Sequence, residues 1–374
     1  MNSSLPLWHN IEPKINISRM SIIDLSTFNL IHKMILLFVL STFGLMWMLK
    51  LSFKLHWFDI PVARSSHNGN IPRTAGIILT FFSVVLLIVW GPKEFIHPLI
   101  IFSYIFFFFI GVYDDIKNLK ASTKFWAQLV ICGTLTLALP EFRINNFYGI
   151  LGLYSISSIY SIIFSIFVYI VVINAYNLID GIDGLALTFS IFAIFMLSIG
   201  YNDVSQPMTN YGMLLISILL PFYFFNFSKK YKMFLGDTGS IFLGMTIVLM
   251  VGYFLNSNHP VVVPFGMNRA VFALVALCYP LLDTLRVFIL RVTKGLSPFT
   301  ADRNHIHHKL LNIGFSHYST TISLLVFNLL ILFVNSYSLQ NIDTNAVVII
   351  DFILIGFFFV GGVWFARIKV LKRH

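Results

Sequence analysis

The sequence predicts an all-α polytopic membrane protein of about eleven transmembrane helices, with its N-terminus outside and its C-terminus in the cytoplasm. Three observations carry that expectation. Hydrophobic residues make up 57% of the 374 and charged residues only 11%, whereas soluble domains carry about 25% charge. Mean hydropathy is +0.84. The basic residues behind the net charge of +10 are spread through short loops between apolar runs, which is a membrane-topology pattern and not a nucleic-acid patch. The 40 phenylalanines suit lipid-facing helix surface. Cys132 and Cys278 both fall inside apolar runs, which argues against a disulfide or a cysteine zinc site.

A helix needs about 20 largely apolar residues to cross the hydrocarbon core. Candidate runs are 33–53, 73–91, 95–113, 124–140, 157–175, 183–200, 211–226, 239–256, 267–290, 319–338 and 346–366. Residues 1–32 are mixed polar, lack the pattern of a cleaved signal peptide, and read as an extracytoplasmic segment. Residues 33–366 then form one transmembrane domain with cytoplasmic loops 54–72, 114–123, 176–182, 227–238 and 291–318, followed by a basic tail over 367–374.

Orientation follows from Lys and Arg. Loops after odd-numbered runs hold Lys54, Arg64, Lys117, Lys120, Lys124, Lys229, Lys230, Lys232, Arg291, Lys294, Arg303 and Lys309. The opposite side has Lys14, Arg19, Lys33, Lys93, Arg143 and Arg269. The positive-inside rule puts the richer side in the cytoplasm. Glu12, Glu94 and Glu141 then fall outside, while Asp59, Asp114, Asp115, Asp180, Asp183, Asp237 and Asp302 lie inside and Asp283 is deep in the ninth run.

Five clusters gather on that cytoplasmic side. Asp114-Asp115, with Lys117 two residues on, ends the third run. Adjacent carboxylates raise each other's pKa unless a cation is near, so the pair suits a metal site, a base or an ion pair with Lys117. The stretch Asn174–Ala186 carries Asn174, Asn177 and Asp180 at steps of three, then Gly181, Asp183 and Gly184. The first three can share a helix face, and two carboxylates there exceed what one helix cap requires. Phe234-Leu235-Gly236-Asp237-Thr238-Gly239-Ser240 opens the eighth run. Asp302-Arg303-Asn304-His305-Ile306-His307-His308-Lys309 could meet phosphates or a metal; zinc requires three or four convergent ligands. Pro72-Arg73-Thr74-Ala75-Gly76 at the second run reads as ordinary packing. Helix N-termini converging on one region favour anions.

Together these strings resemble the polyprenyl-phosphate N-acetylhexosamine-1-phosphate transferase superfamily, over roughly residues 60–320. The combination of Asn174–Ala186, Phe234–Gly244 and His305–His308 carries the resemblance. The His-Ile-His-His form is similar to the WecA/TagO-like branch, the UDP-GlcNAc:undecaprenyl-phosphate GlcNAc-1-phosphate transferases, and unlike the phospho-MurNAc-pentapeptide transferases. Ala75-Gly76 stands where the superfamily often has two glycines.

The resemblance implies attack of undecaprenyl phosphate on a UDP-N-acetylhexosamine, release of UMP, and Mg²⁺ as cofactor with Mn²⁺ as a substitute. It implies Asp237 as metal ligand with Asn177 beside it. Asp114 and Asp115, with Lys117, would bind or deprotonate the lipid phosphate. Asn174, Asp180 and Asp183 would line the nucleotide pocket, Phe234 would stack on uracil, and Arg303, His305, His307 and His308 would contact phosphate or sugar. The implied setting is the bacterial inner membrane, with the site on its cytoplasmic face. Membrane lipids are the expected surroundings, nucleic acid is not a partner, and a homodimer stays open. A secondary transporter is the rival reading, but its acids belong near the midplane, in paired interrupted spans.

Overall fold

In the computed structural model of the chain, the described residues are 17–58, 70–201, 207–256, 263–296, 304–338 and 344–356, apart from 352 and 355. Among them the secondary structure is helical, with no sheet; Asn146 and Ser155 form an isolated antiparallel bridge. The helices are α1 (Ile17–Leu55), α2 (Ala75–Trp90), α3 (Pro98–Lys117), α4 (Ala121–Ala138), α5 (Ser158–Ile179), α6 (Leu185–Ile199), α7 (Pro207–Leu219), α8 (Phe222–Phe227), α9 (Gly236–Asn256), α10 (Arg269–Ala276), α11 (Cys278–Val292), α12 (Ile306–Asn312) and α13 (His317–Ser338).

Among the described residues six stretches are long and apolar enough to cross a membrane: Asn29–Leu55, Pro98–Lys117, Ser158–Ile179, Pro207–Phe227, Gly236–Asn256 and His317–Ser338. The pair α10 and α11, bent by 72°, makes a seventh if it is one span. The chain is therefore a polytopic helical membrane protein. The difference from eleven expected runs has physical causes. Helices α2 and α6 are apolar but only 16 and 15 residues long, below the roughly 20 that reach across the core. Helix α4 carries Lys124 and Gln128 among its 18 residues. The run 346–366 is described only to residue 356.

Helix α9 organises the rest. Its most apolar stretch is entirely buried, and it is hydrophobic all round, as a fully enclosed helix must be. Helices α2, α3, α5 and α6 pack around it, with α1 and α7 outside α2 and with α4 outside α5. Small residues set the separations. A Cβ on Gly76 of α2 would lie 2.3 Å from the Gly239 nitrogen, and one on Gly111 of α3 would lie 2.4 Å from the Thr238 Cα. Close backbone approach of this kind is how helices associate where lipid supplies no hydrophobic drive. Phe43, Trp47, Phe109, Phe167 and Phe333 stay exposed on the outer helices, as the phenylalanine count leads one to expect.

The segment before α2 is tied to the segment before α9. Phe234 N–H donates to the Pro72 carbonyl (2.8 Å), and Gly76 N–H donates to the Leu235 carbonyl (2.9 Å). The Gly76 bond, like that of Ala75 N–H to the Phe234 carbonyl (3.3 Å), satisfies a first-turn donor that α2 cannot pair within itself. The Pro72–Gly76 cluster is thus the frame that seats the Asp237 motif.

Candidate active site

The end of α3 meets the start of α9. Gly236 has φ of 76°, a left-handed conformation that glycine adopts without cost, and a Cβ there would lie 2.8 Å from both Asp115 carboxylate oxygens. Asp115 accepts from Asp237 N–H (2.7 Å), Thr238 N–H (3.0 Å) and the Thr238 hydroxyl (2.6 Å). It caps α9 from another helix, with about three of its four acceptor sites used. Asp114, one residue earlier, is buried; it accepts from Leu119 N–H (2.5 Å) and pairs with Lys124. Lys124 also lies 3.2 Å from Asp237 Oδ1, so one ammonium bridges two acids. Asn177 Nδ2 donates to the same Asp237 oxygen (2.6 Å) and to Ser240 Oγ (2.9 Å).

The turn between α5 and α6 adds two further acids with opposite surroundings. Asp183 Oδ2 accepts from Lys232 Nζ (2.6 Å) and lies 2.9 Å from His317 Nδ1. Burial opposes its ionisation, but the His317 and Lys232 hydrogen bonds outweigh that and hold the carboxyl below its ordinary value. Asp180 receives no hydrogen bond among the described residues. Burial first, then the charges of Asp237 and Asp115, push its carboxyl well above the usual range, against a smaller opposing effect of Arg73. The turn is pinned on its other side, where Gly184 N–H donates to Asn226 Oδ1 (2.5 Å) and Asn226 Nδ2 donates to the Met233 carbonyl (2.9 Å).

The histidine motif approaches from the far side. His307 is wholly buried, and a Cβ on Gly181 would lie 2.6 Å from its Nε2. Burial and then the neighbouring His308 push His307 down to about 3, so it is neutral at ordinary pH. His308 is half-buried and lies beside it, ring centroids 4.3 Å apart. Phe234 is half-buried, with the Lys232 ammonium 5.6 Å above its ring.

Two expected members stand apart. Lys117 is exposed, 5.5 Å from the centre of the Tyr113 ring; the ion partner of Asp114 is Lys124, from the first turn of α4. Asn174 donates to Gln128 Oε1 (2.6 Å) and the Ile170 carbonyl (2.8 Å), a bond between α5 and α4 a turn below Asn177. Arg303 lies outside the described residues. Lys124, Lys232, Asn226 and His317 were not legible as site residues. Lys124 and Lys232 register in the sequence only as loop charge, and Asn226 and His317 carry no local motif.

Asp114, Asp115, Asp180 and Asp237 thus share one corner with Lys124 and, through its field, Arg73. Four carboxylates against two cations leave a deficit of positive charge, and the donors are hard oxygens. Such a set fits an oxygen-preferring divalent ion such as Mg²⁺. Beside it, a cavity of about 130 Å³ is lined by Trp57, Arg73, Thr74, Ile77, Val112 and Asp115, among others.

Comparison with known proteins points the same way. The glycosyl transferase family 4 profile matches residues 97–254, which hold Asp114 to Asp237. An undecaprenyl-phosphate α-N-acetylglucosaminyl 1-phosphate transferase of Haemophilus influenzae is 31% identical over 68% of this chain and 72% of its own length. The protein of the same name from Pasteurella multocida is 31% identical over 72% and 75%, and that of Salmonella typhi 24% over 76% and 77%. The chain belongs to glycosyl transferase family 4, in the group of the undecaprenyl-phosphate α-N-acetylglucosaminyl 1-phosphate transferases.

Proposed function

We propose that the chain transfers N-acetylglucosamine 1-phosphate from its UDP-sugar to undecaprenyl phosphate, releasing UMP and starting assembly of a lipid-linked glycan. The observation that carries this reading is the corner where Asp114, Asp180 and Asp237, distant in sequence, meet with too little positive charge. A corner of that kind is suited to a metal-bound diphosphate. The names of the relatives supply the lipid and the sugar phosphate; the uridine nucleotide rests on the motif resemblance.

Asp237, Asp180 and the side-chain oxygen of Asn177 would hold Mg²⁺, since both Asn177 contacts use its Nδ2. Bound there, the ion would offset the diphosphate charge that builds up in phosphoryl transfer. Lys124 holds Asp114 and Asp237 together and adds a cation at the same place. The cavity with Arg73 in its wall offers the acceptor phosphate a cation beside apolar side chains. A phosphate monoester loses its second proton near pH 6, so a protein base has little work at pH 7–8. Asp114 is the better candidate for it, because Asp115 is occupied in capping α9.

Eleven spans, with the site on the cytoplasmic face of the inner membrane, agree with the Lys and Arg distribution. A cysteine placed within 201–210 should label from outside the cell and one within 229–233 should not; the reverse would put the site on the wrong side for a cytosolic nucleotide. The function itself is tested with purified protein, undecaprenyl phosphate, Mg²⁺ and a panel of UDP-sugars. UMP release with a lipid-linked product from UDP-GlcNAc is expected. Neither product from any sugar would overturn the reading.

A further inference from the structure

Helix α11 carries Asp283, wholly buried and deep in the ninth apolar run. A carboxylate in such a place must be paired. Its Oδ2 lies 2.9 Å from His305 Nδ1, and its Oδ1 accepts from Ile306 N–H (3.0 Å) and stands 3.3 Å from Arg286 Nη2. Arg286 also donates to the Asn304 carbonyl. Three successive residues, 304 to 306, are therefore held by α11. The His305 ring lies nearly parallel to His307, 5.5 Å away at 18°, and His307 Nε2 abuts Gly181, between Asp180 and Asp183.

We propose that Asp283 is a positioning residue of the site: from the bent span it fixes the hydrogen-bonding direction of His305 and thereby sets His307 against the Asp180–Gly184 turn. The inference rests on the transferase reading above. With Oδ2 as acceptor, His305 carries its proton on Nδ1. Among the described residues His307 has no hydrogen-bond partner on either ring nitrogen, and its Nδ1 stands 3.9 Å from Asp283 Oδ2, beyond hydrogen-bond reach; the neighbouring His305 and the packed turn hold the ring. Asp283, His305 and His307 also bring potential metal-ligand atoms within 4.8 Å of one another. Charge argues against a metal there. The single carboxylate already faces a guanidinium and an imidazole N–H, and a dication would leave the cluster with a large uncompensated positive charge.

The test is a double-mutant cycle in purified protein. Asp283→Asn keeps the shape but turns an amide N–H₂ toward either His305 Nδ1 or Ile306 N–H. We expect kcat to fall by about 100-fold, with KM for UDP-GlcNAc within about threefold. His305→Gln should fall similarly, and the double variant should be no more than about threefold worse than His305→Gln, because the two act as one unit. Wild-type kcat in Asp283→Asn, or losses that multiply in the double variant, would overturn the proposal. Should Asp283→Asn fail to fold, ¹⁵N-histidine labelling of the wild-type protein decides instead. The ring signals that vanish in His305→Gln must report a protonated Nδ1; a bare Nδ1, or a zinc ion retained at one per chain and bound to His305, refutes it. That measurement needs no turnover, so it stands even if the wild-type protein transfers no sugar phosphate.

Discussion

The α3–α9 junction and the adjoining α5–α6 turn hold their acids differently. Where α3 meets α9, each carboxylate has a protein partner: Asp115 takes three donors from the start of α9, and Asp114 takes Lys124 and a backbone N–H. In the α5–α6 turn, Asp183 is likewise satisfied by Lys232 and His317, but Asp180 receives no hydrogen bond among the described residues and has only the field of Arg73 in its favour. Satisfied acids build the frame. An unsatisfied acid raises the free energy of the free protein, and that cost is recovered only when something positive arrives.

The largest effect should come where the junction and the turn meet. Asp237→Asn keeps the bonds from Asn177 and Lys124 within reach but removes the charge, and turnover should drop by about 10³-fold with Tm little changed. Wild-type rates at low Mg²⁺ in that variant would sink the metal assignment. The two neighbouring aspartates should then separate. Asp115→Asn presents an amide donor to Asp237 N–H or Thr238 N–H, so it should cost about 2 kcal/mol of stability as well as activity, with no recovery at high pH. Asp114→Asn should lose activity that returns in part as pH rises. Matching flat pH–rate profiles would mean that neither carboxylate acts as a base.

Phe234→Ala probes the nucleotide side. Stacking on a base is worth about 1–3 kcal/mol, so KM for the UDP-sugar should rise roughly tenfold with kcat less affected. If KM stays put and Tm falls, the ring is packing for Lys232 and not a platform for uracil.

The motifs of Asp114-Asp115, Asp180–Asp183 and Asp237 were legible because each sits at the end of an apolar run, the last two beside glycine, where a carboxylate has no solubility role. What could not be read were partners supplied from far away. Asp115 looks in sequence like half of a pair with Asp114, yet its donors lie 122 and 123 residues on. Lys124 takes the place expected of Lys117 because α3 ends at Asn118, in a left-handed conformation (φ 51°), and the chain turns into α4 at once. Hydropathy likewise reports apolar length and not depth. It reads runs 73–91 and 183–200, each longer than the helix inside it, since α2 and α6 have 16 and 15 residues.

The finest test sets Asp180 against Asp183 by stability alone. Asp180 has its folded-state pKa raised and Asp183 has it lowered, so the two must respond to pH with opposite sign. Below the unfolded value, about 3.9, Asp180 costs nothing; as pH rises toward its folded value the unfolded chain gives up a proton that the folded chain keeps, and stability falls. Asp183 contributes stability above about 3.9 and loses it as pH drops through its folded value. Asp180→Asn should therefore melt a few degrees higher than wild type at pH 7 without Mg²⁺, and the gain should vanish toward pH 4. Asp183→Asn should melt lower at pH 7, with the deficit closing in acid. Mg²⁺ should narrow the Asp180→Asn gap by stabilising the wild type more than the variant. Scanning calorimetry in detergent, from pH 8 down to below the folded value of Asp183, measures both. A variant Asp180→Asn that melts lower than wild type at every pH would mean that Asp180 is held by the protein after all, and its contrast with the satisfied acids around it would be gone.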